Sequence, residues 1–155
     1  MQFDTNTTAM IIGLQNLYNL TTVETSKIAL KRMINRAKEL GYSTFLSGMR
    51  LGVEQWGAAN VIDDPVLSLV ACPKEAQQQS WQWTQQLMYQ KLLENTSTVL
   101  LVNGDIYKWM CDRSSLVLAV WDDQEAEIQT ELVYAKTVGL KGIIFNSLAV
   151  DYKAL

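Results

Sequence analysis

The chain has 155 residues, 48% of them hydrophobic and 19% charged, which suits one folded domain with a full core and leaves no apolar run long enough to cross a membrane. Thirteen basic against 16 acidic side chains give a net charge of −3, which argues against a broad surface for duplex nucleic acid. Histidine is absent and the two cysteines, Cys72 and Cys111, lie far apart. Histidine-based catalysis and the usual zinc sites are therefore excluded, and a general acid or base would have to be a carboxylate, lysine, tyrosine or cysteine.

The opening MQFDTNTTAM lacks a basic region followed by an apolar core, so a cytoplasmic location is expected. Residues 8–14, TAMIIGL, read as a buried first strand ending at Gly13. A helix follows a polar loop: Thr21 and Glu24 have capping-box spacing, Val23, Leu30, Met33, Ile34, Ala37 and Leu40 recur at helical intervals, and Gly41 stands where a helix C-terminal cap belongs. Residues 43–46 form a second short strand. It runs into SGMRLGVEQW (residues 47–56), a glycine turn that leads to a helix over 53–62. A strand, a glycine turn and a helix N-terminus present free backbone N–H groups and the positive end of a helix dipole, the elements of an anion or phosphate site. The same glycines are equally well explained by a tight turn and close packing.

Asp63, Asp64 and Pro65 end that helix, and residues 66–71, VLSLVA, give a third strand before Cys72-Pro73. Residues 77–95 read as one amphipathic helix carrying Trp81, Trp83, Leu87, Met88, Leu92 and Leu93. Strand four is 98–102, TVLLV; Asn103-Gly104 turns the chain, and 106–113 suits a short helix. Strand five, 116–121, ends on Asp122. A helix over 125–138 has Ile128, Leu132, Ala135 and Val138 along one side and closes at Gly139, a last strand covers 143–145, and the tail is read as peripheral. Five or six apolar strands separated by helices predict an α/β fold, a mostly parallel sheet covered on both faces, in a single domain over residues 1–155. Ligands of such sheets bind beyond the carboxyl ends of the strands, which gathers Gly13, Ser47, Gly48, Cys72, Pro73, Asn103, Asp122 and Asn146 on one rim.

Four separated segments resemble one family. SGMRLGVEQWGAA is similar to the SGGALGVDQWAA motif of the SLOG superfamily, in particular its YpsA-like branch, which is related to DprA and to the Lonely Guy phosphoribohydrolases. CPKEAQQQSWQWTQQLMYQKLLENTSTVLLV, YKWMCDRSSLVLAVWD and ELVYAKTVGLKGII follow that branch in order and spacing. The resemblance spans about residues 9–145 and implies a Rossmann-like three-layer sandwich with a pocket for a nucleotide or nucleotide-derived ligand. It would put Gly13 in the first loop, Ser47, Gly48, Gly52 and Glu54 in the second, and Arg113 and Asp122 near the rim. There are departures. The family's Gly-His-Arg is Gly13-Leu14-Gln15 here, its Arg-Asn is Ile106-Tyr107, and the Gly-Gly-Thr of its third loop is Ala126-Glu127-Ile128. The last change removes a glycine nest and adds a carboxylate that repels phosphate, leaving a reshaped pocket, a less charged ligand or a vestigial site as the alternatives.

Glu131 stands where the Lonely Guy enzymes carry a catalytic glutamate, and the bland alternative is a solvated helix carboxylate. Glu54 either favours the helix dipole or contacts a ribose or base. Arg50 and Arg113 are the anion partners on offer, unless they pair with Asp112, Asp122 or Asp123. Asp122 meets a ribose hydroxyl or caps the next helix. Trp81 and Trp121 sit on apolar faces and are expected in the core, whereas Trp56 and Trp83 suit a cleft or a partner surface.

The expected function is non-catalytic binding of a nucleotide-derived small molecule, with neither cofactor nor metal, by an accessory protein of the kind carried by phages and mobile elements. The alternatives are a protein-interaction module or inhibitor of a host protein and, more weakly, a nucleoside 5'-monophosphate phosphoribohydrolase using Glu131. A homodimer through helices flanking the sheet is a further expectation from the relatives.

Overall fold

The computed structural model describes residues 2–155. Its elements are β1 (Thr8–Gly13), α1 (Leu20–Glu39), β2 (Thr44–Ser47), α2 (Val53–Ile62), β3 (Ser68–Ala71), α3 (Trp83–Glu94), β4 (Thr98–Val99), α4 (Ile106–Asp112), β5 (Leu116–Trp121), α5 (Ala126–Thr137), β6 (Lys141–Asn146) and β7 (Asp151–Ala154). They build one sheet in the order β4-β3-β2-β1-β5-β6-β7, parallel except for the last pair. Every residue of β1 and nearly every residue of β5 is buried, as strands covered on both faces require. On one face Ile11, Phe45 and Leu118 pack with Leu30, Met33 and Val53, and Tyr89 of α3 joins them. On the other face Met10, Leu46, Val117 and Ile144 pack with Met110 of α4 and Ile128 and Leu132 of α5. The result is three layers, helix, sheet and helix.

The sheet has seven strands rather than five or six, because the tail is not peripheral: Asp151–Ala154 pairs antiparallel with β6, Phe145 opposite Tyr152. All four β7 residues are exposed, so no alternation of buried and exposed positions marks that strand in the sequence. The helix expected over 77–95 divides into a 3-10 turn, Gln77–Ser80, and α3, whose start is fixed by the Gln82 N–H donating to Gln85 Oε1 at 3.0 Å. Its apolar residues do not all face inward. Trp83 is 72% exposed and Leu87 and Met88 are exposed with it, while Trp81 is only partly buried, edge-on to Tyr89 at 5.1 Å. Trp121 is also only partly buried. α1 begins before Thr21, because the Asn19 side chain accepts from the Thr22 N–H at 3.2 Å and takes the capping position.

The turn between β6 and β7 holds Val150 at φ +55°, a left-handed conformation that a β-branched side chain resists. Val150 is exposed, so replacement costs no packing. Val150→Gly is expected to raise the unfolding free energy by about 1 kcal/mol in urea denaturation, the relief of strain outweighing the added freedom of the unfolded chain. A variant less stable than the parent would show that the turn carries no such strain.

Candidate functional site

The chain runs outward from β1 to β4 and then returns to place β5 beside β1, so the carboxyl ends of six parallel strands share one rim. Beyond the ends of β2, β3 and β4 lies a cavity of about 460 Å³, lined among others by Gly48, Arg50, Lys74, Gln77, Tyr107 and Glu127. A smaller hollow of about 220 Å³ lies at the β1/β5 crossover, where the strand order reverses, and is lined by Gly13, Asp122, Glu125 and Glu127 among others.

The turn after β2 builds the floor of the larger cavity. Ser47 Oγ accepts from the Met49 N–H at 3.1 Å and donates to the Glu54 carbonyl at 3.2 Å, which locks the turn onto the start of α2. Gly52, at φ +82°, makes the final turn, and a Cβ there would stand 2.6 Å from the Leu14 carbonyl oxygen. A Cβ on Gly48 would meet the Tyr107 hydroxyl at 2.3 Å, and one on Gly13 would meet Val53 Cγ1 at 2.3 Å. Close approach thus accounts for all three glycines.

Arg50 is the centre of the floor. Its side chain is 9% exposed, and the guanidinium donates from Nε to Glu54 Oε2 at 2.7 Å, from Nη1 to Glu131 Oε2 at 2.9 Å and from Nη2 to Glu131 Oε1 at 2.8 Å. Nη2 also reaches Glu54 Oε2 at 2.5 Å, and Nη1 bonds Glu127. Four hydrogen bonds and one further close ion-pair contact join the guanidinium to three carboxylates, so all three of its nitrogens are engaged. Fully buried Glu54 accepts further from the Arg50 backbone N–H at 3.1 Å and from the Tyr107 hydroxyl at 2.8 Å, and the Tyr107 ring lies 4.0 Å from the guanidinium carbon.

Burial alone would lower the Arg50 pKa, but the attraction of Glu54 and the bonds from Glu131 override it and raise it. For Glu131 the balance is opposite. Burial lifts its pKa to about 7 against the pull of Arg50, with Glu54 and Glu127 adding repulsion. One cation shared among three carboxylates holds its own charge firmly yet cannot fully compensate each partner. Burial raises the Tyr107 hydroxyl and pushes the thiols of Cys72 and Cys111 up to about 12, so neither cysteine is a thiolate at neutral pH.

This gives a pH dependence of definite sign. Because Glu131 has a folded pKa above its ordinary value of 4.5, the folded state holds its proton where the unfolded state has lost it. Its contribution therefore falls as pH rises from about 4.5 to about 7. Comparing the protein with Glu131→Gln by urea denaturation across that window should show an additional loss in the parent on the order of 2–3 kcal/mol, absent from the variant. Parallel curves would mean Glu131 is ionised throughout.

Of the residues singled out in the sequence, Gly48, Arg50, Glu54 and Glu131 come together here. Ser47 and Gly52 shape the turn beneath, and Gly13 and Asp122 line the separate crossover hollow. Asp122 caps the following turn, accepting from the N–H groups of Gln124 at 2.9 Å and Glu125 at 2.8 Å. Arg113 is not at the site: it terminates α4 and stacks on Trp109 at 4.1 Å, donating to the Trp109 carbonyl. Arg50 pairs with none of Asp112, Asp122 or Asp123, and Glu131 is a buried partner of Arg50 rather than a solvated helix carboxylate. Sequence reasoning missed Lys74, Gln77, Tyr107 and Glu127 as site residues. The last two had a signal, since they occupy two of the positions where the chain departs from the SLOG pattern.

No protein-family model and no curated protein matches the chain. Among the described residues no helix is long and apolar enough to cross a membrane, and no group of three or more cysteines and carboxylates is arranged to hold a metal ion.

Proposed function

We propose that the chain is a binding module of SLOG type, in its YpsA-like branch, that takes a nucleotide-derived small molecule in the rim cavity without transforming it. The observation that carries this reading is the cavity itself. Its volume of about 460 Å³ suits a small ligand, it lies beyond the carboxyl ends of parallel strands, and its polar floor is held rigid by the Arg50 cluster. Support for the non-catalytic half comes from Glu131. Both its oxygens accept from Arg50 and it does not line the cavity, so no free carboxylate stands beside a bound ribose. A thermal-shift screen with adenosine, guanosine, their monophosphates, NAD and ADP-ribose tests the reading. A ligand at a hundred times its Kd should stabilise by about 2.7 kcal/mol, a Tm rise of about 5–10 °C. If no member moves Tm at millimolar concentration, the module does not bind this class.

A second reading, a protein-interaction module, draws on α3 and β4. Trp83, Leu87 and Met88 are exposed on α3, and Leu101 is exposed just after β4, which ends the sheet after two residues. Such a module would ignore the ligand panel and lose its partner on Trp83→Ser.

A further inference from the structure

At three loop-to-helix junctions on the rim, backbone N–H groups that could face a ligand anion are already bonded to carboxylates of the chain. Before α2, the Arg50 amide donates to Glu54 Oε1 at 3.1 Å. At the start of α4, the Tyr107 and Lys108 amides donate to Asp105 Oδ1 at 3.0 and 3.1 Å. At α5, Asp122 takes the amides of Gln124 and Glu125, and Glu125 takes those of Glu127 and Ile128 at 3.1 and 2.8 Å. These are the positions at which α/β rims ordinarily hold phosphate.

The side chains point the same way. All three guanidinium nitrogens of Arg50 already face carboxylates, and on the cavity wall and directly beneath it the carboxylates Glu54, Glu75, Glu127 and Glu131 outnumber the cations Arg50 and Lys74 two to one. The excess remains if one of the four is protonated. Glu75 and Glu127 are the exposed members, and of the two Glu127, its side chain 55% exposed, is the one anchored to the Arg50 cluster. Arg50 engages its Oε1, which leaves Oε2 as an acceptor at the wall.

We propose that the rim cavity selects an uncharged or cationic nucleoside, held by an amino or carboxamide N–H donating to Glu127, and discriminates against the corresponding phosphate ester. The inference rests on the binding reading above and narrows it from nucleotides to nucleosides. Its physical basis is Coulombic. A phosphate about 6 Å from a half-exposed carboxylate is repelled enough to weaken binding on the order of tenfold, and added salt reduces the penalty.

Isothermal titration calorimetry with two matched pairs, adenosine against AMP and nicotinamide riboside against nicotinamide mononucleotide, tests it at low and high salt. The expected result is a nucleoside bound roughly tenfold more tightly than its monophosphate at low salt, a ratio that shrinks at high salt and collapses in Glu127→Gln. The side chain of Glu127 is half exposed, so this variant should fold, and circular dichroism checks that it does. A monophosphate bound as tightly as its nucleoside would overturn the inference while leaving the binding module intact. If neither pair binds but NAD does, the inference alone is again lost; silence from every compound removes both.

Discussion

Arg50→Ala is expected to lower the unfolding free energy by about 3–5 kcal/mol at neutral pH, the largest effect of any single change at the site. The magnitude comes from what is left behind. Glu54 is fully buried and Glu131 nearly so, and with the guanidinium gone both face each other and Glu127 without a cation. Such carboxylates must either stay ionised in a poorly solvated place or take up protons that the unfolded chain does not hold, and both routes favour unfolding. Because the second route becomes easier as pH falls, the gap between parent and variant should narrow from pH 7.5 toward pH 5. Arg50→Lys should fall between them, since an ammonium offers three donors where the guanidinium makes four bonds from a planar fork. Chemical denaturation at the two pH values measures all of this. A loss under 1 kcal/mol, or one that does not change with pH, would mean that the cluster is solvated in solution.

Glu54→Ala is the second large effect, an expected loss of about 2–4 kcal/mol. Glu54 accepts from the Arg50 amide, from the Arg50 guanidinium and from the Tyr107 hydroxyl, and truncation strands the amide and the hydroxyl in a buried place. The cost is smaller than for Arg50 because removing one of three like charges relieves repulsion on the others. Glu131 carries the independent readout: with Glu54 gone and Arg50 shared between fewer partners, its pKa should drop below about 7, which a carboxyl NMR titration would follow. Combined in one protein, the two substitutions should cost less than the sum of the singles, the mark of groups that act as a unit. Additive losses would place Arg50 and Glu54 in separate environments.

The cluster also gives a physical reading of the residues that set this loop apart. Beside the SGGALGVDQWAA pattern it resembles, the turn has Met49 for a glycine and Arg50 for an alanine. Met49 accepts the left-handed conformation that the glycine would take freely, at φ +62°, and is fully buried. Its carbonyl is held by Gln55 Nε2 at 3.1 Å, so the turn keeps its shape with a side chain present. Arg50 brings the cation that the neighbouring carboxylates require. The loop is organised around an ion cluster of its own, which is why its amides are not simply a vacant nest.

Local chemistry made much of the architecture legible. The helix from Val53 to Ile62 and the strand from Leu116 to Trp121 have the bounds expected of them, because the helix starts after Gly52 and stops at Asp63-Asp64-Pro65, and the strand is an apolar run that stops at Asp122. Gly41, at φ +98°, ends the first helix as its position promised. The failures were of another kind. The exposed strand β7 has no inward face to betray it, and the break between Ser80 and Trp83 lies within a segment of glutamine and tryptophan that reads as continuous helix.

Alternating apolar strands and helices, the rim on which their carboxyl ends gather, and the lack of any histidine to do chemistry there were set by the amino-acid order alone, since each depends on neighbours a few positions apart. Which charges meet on that rim depended on the tertiary structure. Glu127 and Glu131 stand 77 and 81 residues after Arg50, and only the return of the chain to lay β5 against β1 carries α5 to the end of β2. Electrostatic pairing acts over ångströms of space rather than along the chain, so the pairing of Arg50 with three carboxylates and the acidity of the cavity exist only in the folded molecule.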